Sequence, residues 1–246
     1  MSSTGYHWDW SVFTQISDDE RPYYQWLIEG FSWTFKVAFS AFIIAMVIGS
    51  ILGIMRTTNS KKLNLIGNAY VELFRNIPLI VQLFLWFHVM PELLPQAAGT
   101  WVKQNVQSWV LAIAGLGLFT SARISEQVRS GILTIPSGQR MAGLALGLTE
   151  WQTYLYVRLP MAYRIIMPTL TSESMNIFKN SSVTFAVGVL ETFFYGKQMI
   201  EKTAQEYEVL IAIALIYISV ALSANLIMGT IEKMTRVPGF ISKGSK

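Results

Sequence analysis

Uncharged apolar runs set the rhythm of this chain. Between Lys36 and Arg56 lie the nineteen residues 37–55, rich in Ile, Ala and Phe. At about 1.5 Å rise per residue, a helix of that length crosses the roughly 30 Å hydrocarbon layer of a bilayer. A second run of nineteen separates Lys103 from Arg123, and one of twenty-three separates Glu208 from Glu232. These three predict transmembrane helices. The stretch 76–91 is shorter but extends backwards through Tyr70 and Leu73, which predicts a fourth.

A fifth span is predicted over 164–190, although Glu173, Lys179 and Pro168 interrupt it. Glu173, Asn176, Lys179, Asn180 and Val183 step by three or four and share one helical face. Ile165, Ile166, Leu170, Met175, Ile177 and Phe178 make the remainder apolar. A polar stripe on such a helix faces protein or water rather than lipid. The expected fold class is all-α: a polytopic membrane protein of about five spans.

Composition supports the same solvent. Only 14% of the 246 residues are charged, against about 25% in soluble domains. That excludes a disordered chain and argues against a soluble enzyme. The absence of Cys removes disulfide scaffolds and thiol chemistry. His7 and His88 lie far apart, so no metal site is expected, and no nucleophile–base pair suggests a catalytic residue. The net charge of +4 is scattered rather than clustered as nucleic-acid binding requires. No cofactor is expected. His88, the Met residues and the Trp side chains near span ends read as packing and interfacial anchors.

Lys and Arg counts orient the spans. With the N-terminus outside, segments 56–62, 129–164 and 233–246 face the cytoplasm and hold eleven basic residues. Segments 1–29, 91–107 and 191–207 face outward and hold four. The predicted organisation is an external lead-in over 1–29, a transmembrane domain over 30–232 and a cytoplasmic tail over 233–246. The first 25 residues are polar and acidic, unlike a signal peptide.

The cytoplasmic loop 136–160 reads as helix, break, helix. Met141, Leu144 and Ala145 share a face in a first helix over 139–146, and Gly147 supplies its stop. Thr149 and Gln152 form a capping-box pattern opening a second helix, which Pro160 is expected to close. Two short helices with apolar faces, exposed to the cytoplasm, are surfaces for docking.

The spacing from Gly147 to Val157-Arg158-Leu159-Pro160 resembles the coupling loop of bacterial ABC importer permeases, with Met141-Ala142-Gly143 where that family usually has Glu-Ala-Ala. Tyr70-Val71-Glu72-Leu73-Phe74-Arg75-Asn76-Ile77-Pro78-Leu79 is similar to the second-span signature of polar amino-acid importers. Glu126-Gln127-Val128-Arg129-Ser130-Gly131-Ile132 resembles the third-span signature, and Lys179-Asn180-Ser181-Ser182-Val183 the fourth. Leu118-Phe119-Thr120-Ser121-Ala122-Arg123 looks most like the glutamate/aspartate import permeases.

The resemblance implies the type I importer permease fold and several partners. A separate ATPase subunit would dock on Gln139, Met141, Ala142, Gly143, Leu146, Gly147, Leu159 and Pro160. A second permease subunit, homologous and forming a heterodimer, and a periplasmic solute-binding protein would complete the importer. The chain has no Gly-x-x-x-x-Gly-Lys-Ser/Thr phosphate loop, so ATP would be hydrolysed on the partner.

Charges at bilayer depth are costly and need a partner or a wet cavity. Glu72 and Arg75 are three apart and suit either a structural pair near the cytoplasmic boundary or a role in transport. Glu126 and Arg129 suit a structural pair, and the resemblance implies that they shape the inner end of the pathway beside the coupling loop. Arg123 lies one turn deeper and completes an Arg-x-x-Glu-x-x-Arg stripe. A guanidinium fork suits a carboxylate, so Arg123 is expected either to contact the side chain of glutamate or aspartate or to pair with Glu126. Glu126, Asn176, Lys179, Asn180 and Ser181 are candidates beside it along the substrate pathway, the alternative for the residues from 176 to 181 being hydrogen bonds between helices. Alternatives are a permease for another polar amino acid such as glutamine, or an ion-coupled secondary transporter; no internal repeat of the latter kind is evident.

Overall fold

The computed structural model describes residues 6–235, and among them the chain is helical without a β-strand. In lipid this is the expected economy, because a helix satisfies its own backbone hydrogen bonds. The first helix, α1 (Tyr23–Met55), begins well before the apolar run that predicts it. Lys36 lies in its middle, with its ammonium 4.8 Å from the Trp33 ring centre. A cationic side chain stacked on an indole is tolerated within the helix, so Lys36 does not mark its boundary.

The second predicted span is broken. Helices α2 (Lys61–Asn76) and α3 (Leu79–Phe84) meet at Ile77-Pro78, where the path turns by 106°. Pro78 pushes Ile77 into extended backbone and cannot donate an amide to the preceding turn. Gln82 heals the break: its Nε2 donates to the carbonyls of Phe74 at 2.6 Å and Ile77 at 2.9 Å.

Beyond α3 a π turn over Leu85–Val89 leads into α4 (Met90–Leu93), then α5 (Gln96–Asn105) and the long α6 (Ser108–Thr134). Helices α7 (Ser137–Ala145) and α8 (Glu150–Thr153) make the loop that follows α6. A second π turn, Tyr154–Arg158, joins α8 to α9 (Leu159–Asn180). The expected stop at Pro160 therefore does not occur. Both π turns end two residues before a proline, Pro91 and Pro160, and widen the helix to an i→i−5 bond just ahead of the ring. A 3₁₀ turn (Ser181–Val187), α10 (Thr192–Thr203) and α11 (Glu206–Thr235) complete the described chain.

Three helices, α1, α6 and α11, are each long and apolar enough to cross a membrane, and the bent α2–α3 segment makes a fourth if taken as one span. Helix α9 carries more polar groups and is sheltered instead, packed between α6 and α11. Small residues let α1 and α6 approach closely. Ala41, Ala45, Gly49 and Gly53 recur every fourth residue and are all buried. A Cβ on Gly49 would lie 2.8 Å from Ile124, and one on Gly53 2.7 Å from Val128. Ile124, Val128, Ile132, Ala162, Ile166 and Leu170 form the core where α6 meets α9.

The lead-in is more structured than its polarity predicts. A 3₁₀ turn over Trp10–Thr14 buries Val12 against Tyr195, Met199 and Val209. Glu208 accepts hydrogen bonds from Tyr6 Oη and from the Asp9 amide, the latter at 2.6 Å. The predicted tail at 233–246 lies outside the described residues from 236 onward.

Candidate functional site

Two sites emerge, a charged cleft between α2 and α6 and the exposed loop of α7 and α8. The cleft has a volume of about 390 Å³ and is lined by Arg75, Phe119, Arg123, Glu126 and Gln127. Helix α6 contributes Phe119, Arg123, Glu126 and Gln127 because three- and four-residue steps place them on one face. Helix α2 contributes Arg75 from its last turn, just before the break at Pro78.

Arg123 does not pair with Glu126. Its Nε lies 2.9 Å from Glu173 Oε1 on α9. Glu173 is 4% exposed and Arg123 42% exposed, so the carboxylate is inside and the guanidinium faces the cleft. Gln127 Nε2 donates to the second Glu173 oxygen at 3.4 Å, and Asn176 lies against the same carboxylate. A buried carboxylate needs such a counter-ion.

Glu126 is the hub of a second cluster. It meets Arg56 at 2.8 Å, Arg129 at 3.3 Å and Arg75 at 3.8 Å. The expected Arg129 pair is present, but the Glu72–Arg75 pair is not. Glu72 is exposed and joins no ion pair among the described residues; Arg75 meets Glu126 on α6 instead. Charge spacing marks Arg56 only as the edge of the first apolar run, yet it is the nearest partner of Glu126. Its side chain is 8% exposed, and it also bonds Asn68 Oδ1 at 2.7 Å.

The remaining expected pathway residues diverge. Lys179 is exposed and Asn180 half-buried, neither lining the charged cleft. Ser181 is fully buried and donates to the Phe178 carbonyl at 2.7 Å. It closes the end of α9 and leaves no hydroxyl open to a pathway, because the chain tightens into the 3₁₀ turn there.

In the loop, the local signals are realised. Gly147 has φ +83°, and the Leu148 amide reaches back to the Gly143 carbonyl at 3.1 Å, ending α7 in the left-handed manner. Thr149 and Gln152 make both bonds of the capping box. Gly143 is buried where α7 meets Thr153; a Cβ there would lie 3.0 Å from the threonine side chain. Met141, Leu146, Trp151 and Tyr156 are 58%, 83%, 66% and 66% exposed. Ala142 is exposed with them, while Gln139 and Leu159 are half-buried and Pro160 exposed. Arg140 pairs with Glu150 across the loop, Nε to Oε2 at 3.0 Å. Tyr154 Oη donates to the Thr57 carbonyl at 2.9 Å, tying the loop to the end of α1.

Residues 29–237 match the family described as "Binding-protein-dependent transport system inner membrane component". The chain belongs to that family. It is thus a multi-pass inner-membrane permease of the all-α, type I importer fold. The glutamate/aspartate import permease protein GltJ of Escherichia coli (strain K12) is 42% identical over 94% of this chain and 96% of its own length. The glutamate/aspartate import permease protein GltK of Escherichia coli O157:H7 is 29% identical over 94% of this permease and 99% of its own length. Among solved structures, the crystal structure of an amino acid ABC transporter with histidines aligns with TM-score 0.74 and 26% identity, covering 86% of this permease and 95% of that chain. The MetNI methionine ABC transporter in an inward-facing conformation aligns with TM-score 0.66 at 21% identity, a likeness of fold.

Proposed function

We propose that this permease is one membrane subunit of an ATP-driven importer of acidic amino acids, glutamate or aspartate. The observation that carries the proposal is Arg123, a guanidinium braced by a buried carboxylate, 42% exposed and lining a cleft between α2 and α6. Arg123 pairs with Glu173 through its Nε, and the remaining N–H donors of its planar fork match a second carboxylate. The name of the GltJ relative supports the same substrate class.

The exposed apolar groups of the loop, Met141, Leu146, Trp151 and Tyr156, suit docking to a separate ATPase subunit. Closure of paired ATPases would move the loops together and rock the spans between inward-open and outward-open states. The Tyr154–Thr57 bond couples that movement to α1. A second, homologous permease subunit would form the other wall of the path, and a periplasmic binding protein would deliver substrate. Asn176, Lys179 and Asn180 remain candidate pathway residues in the dimer, on the polar side of α9.

The test is ATP-dependent uptake by the complete complex reconstituted in proteoliposomes, with labelled glutamate, aspartate and glutamine compared. Uptake of the two acids with little glutamine supports the reading. A preference for glutamine overturns it in favour of the substrate named for the 29% identical permease protein GlnP of Escherichia coli.

A further inference from the structure

The charges in the cleft do not balance, and the surplus is not at Arg123. Glu173 neutralises Arg123. Around Glu126, by contrast, three guanidiniums share one carboxylate. That leaves two positive charges in excess beside a cavity of about 390 Å³.

The three arginines are not held alike. Arg56 is buried and fixed, with Glu126 at 2.8 Å, Asn68 at 2.7 Å and Ser125 Oγ at 3.4 Å. Arg129 sits on the same helix as Glu126, one turn on, at 3.3 Å. Arg75 makes the longest contact, 3.8 Å, and its side chain is 51% exposed. It reaches the cleft from a different helix, α2, at Glu126, one turn further along α6 than Arg123; the Lys and Arg of the flanking segments predict that end of α6 to face the cytoplasm. An oversupplied carboxylate gives up its weakest partner at least cost, and a long flexible arginine is able to follow a moving anion.

We infer that Arg75 is a second anion-binding arm: it leaves Glu126 and takes a carboxylate of the transported amino acid on the cytoplasmic side of Arg123. The inference rests on the acidic amino-acid reading above and adds a residue to it. Arg123 and Arg75 line one cleft, so an acidic amino acid meets one guanidinium after, or together with, the other. The surplus charge makes release into the cytoplasm depend on salt, since small anions compete for the same arm.

The chain has no Cys, which permits a direct test. The reconstituted complex carrying Arg75→Cys is assayed for ATP-driven glutamate uptake before and after treatment with cationic, neutral and anionic methanethiosulfonates, with treated wild type as control. Uptake is expected to fall about tenfold, the worth of one charge-assisted hydrogen bond. The cationic reagent should restore most of it, and the neutral and anionic reagents should not. Arg75→Lys should retain more uptake than Arg75→Cys. Wild-type uptake in Arg75→Cys, or equal rescue by the neutral reagent, overturns the arm and leaves the acidic-substrate reading standing. A wild-type complex that moves no glutamate overturns that reading itself, and the arm with it.

Discussion

Arg123 and Glu173 meet at 2.9 Å between α6 and α9, one 42% exposed and the other 4%. The pair is asymmetric: the carboxylate cannot do without the arginine, whereas the arginine still faces the cleft. Removing the arginine therefore has two separable consequences. Arg123→Ala should abolish uptake of acidic amino acids and also lower the thermal stability of the complex. The stability loss should be smaller than the about 3–5 kcal/mol of a fully buried pair, since solvent reaches Arg123 and screens the contact. Arg123→Ala combined with Glu173→Gln should recover stability without recovering uptake. If the double variant transports normally, Arg123 has no part in the pathway.

The α1–α6 contact predicts a steric effect with no charge involved. Gly49 and Gly53 face Ile124 and Val128 with no room for a Cβ. Gly49→Leu or Gly53→Leu should cost about 1–3 kcal/mol through overpacking. Melting of the detergent-solubilised complex would report it. A substitution at the exposed Ile51, which points away from α6, should leave the melting temperature unchanged.

The loop offers a test of coupling. Gly147 is left-handed, so Gly147→Ala should strain the turn by about 1–2 kcal/mol. Gly143→Val should force α7 away from Thr153. Both variants should assemble with the ATPase less tightly and show weaker stimulation of ATP hydrolysis by the binding protein. Full stimulation in Gly143→Val would show that the spacing of α7 and α8 is not used in docking.

A pH test isolates the Arg140–Glu150 tie across the same loop. The Arg140 guanidinium holds the Glu150 carboxyl below its ordinary value of 4.5. A carboxylate with a depressed value stabilises the folded loop fully above its unfolded value, and that contribution is lost as pH falls through the depressed one. The effect of Glu150→Gln on coupling should therefore be constant through the neutral range and fade only in acid below about 4.5. Because the pair is exposed, added salt should shrink the effect at neutral pH. A variant effect that changes between pH 6 and pH 8 would contradict this assignment.

Much of the architecture was legible because its causes are local or set by solvent. Charges are expelled from hydrocarbon, so their absence over 37–55, 104–122 and 209–231 marks α1, α6 and α11. Gly147 and the Thr149–Gln152 box act within a few residues, and both signals became the turn they predict. Pro78 carried a signal that the hydropathy reading passed over. The residue before a proline is driven to extended backbone, and that local rule marks the break at Ile77. Pro160 points the opposite way: a π turn over Tyr154–Arg158 precedes it, and the ring sits at the start of α9, where a proline is tolerated.

Which arginine serves which carboxylate was beyond the sequence. Spacing of three on one helix suggested Glu72 with Arg75 and left Arg123 beside Glu126. It described the Glu126–Arg129 contact correctly and missed the others. Arg56 from the end of α1, Arg75 from α2 and Glu173 from α9 reach the charges of α6, and their meeting depends on how the helices are rotated and on the close approach of α1 and α6 allowed by Gly49 and Gly53. Scarcity of charge along the chain determined the solvent and the spans, because transfer into hydrocarbon depends on each segment's own composition. Packing alone decided the ion pairs, because a buried carboxylate selects the cation nearest in space.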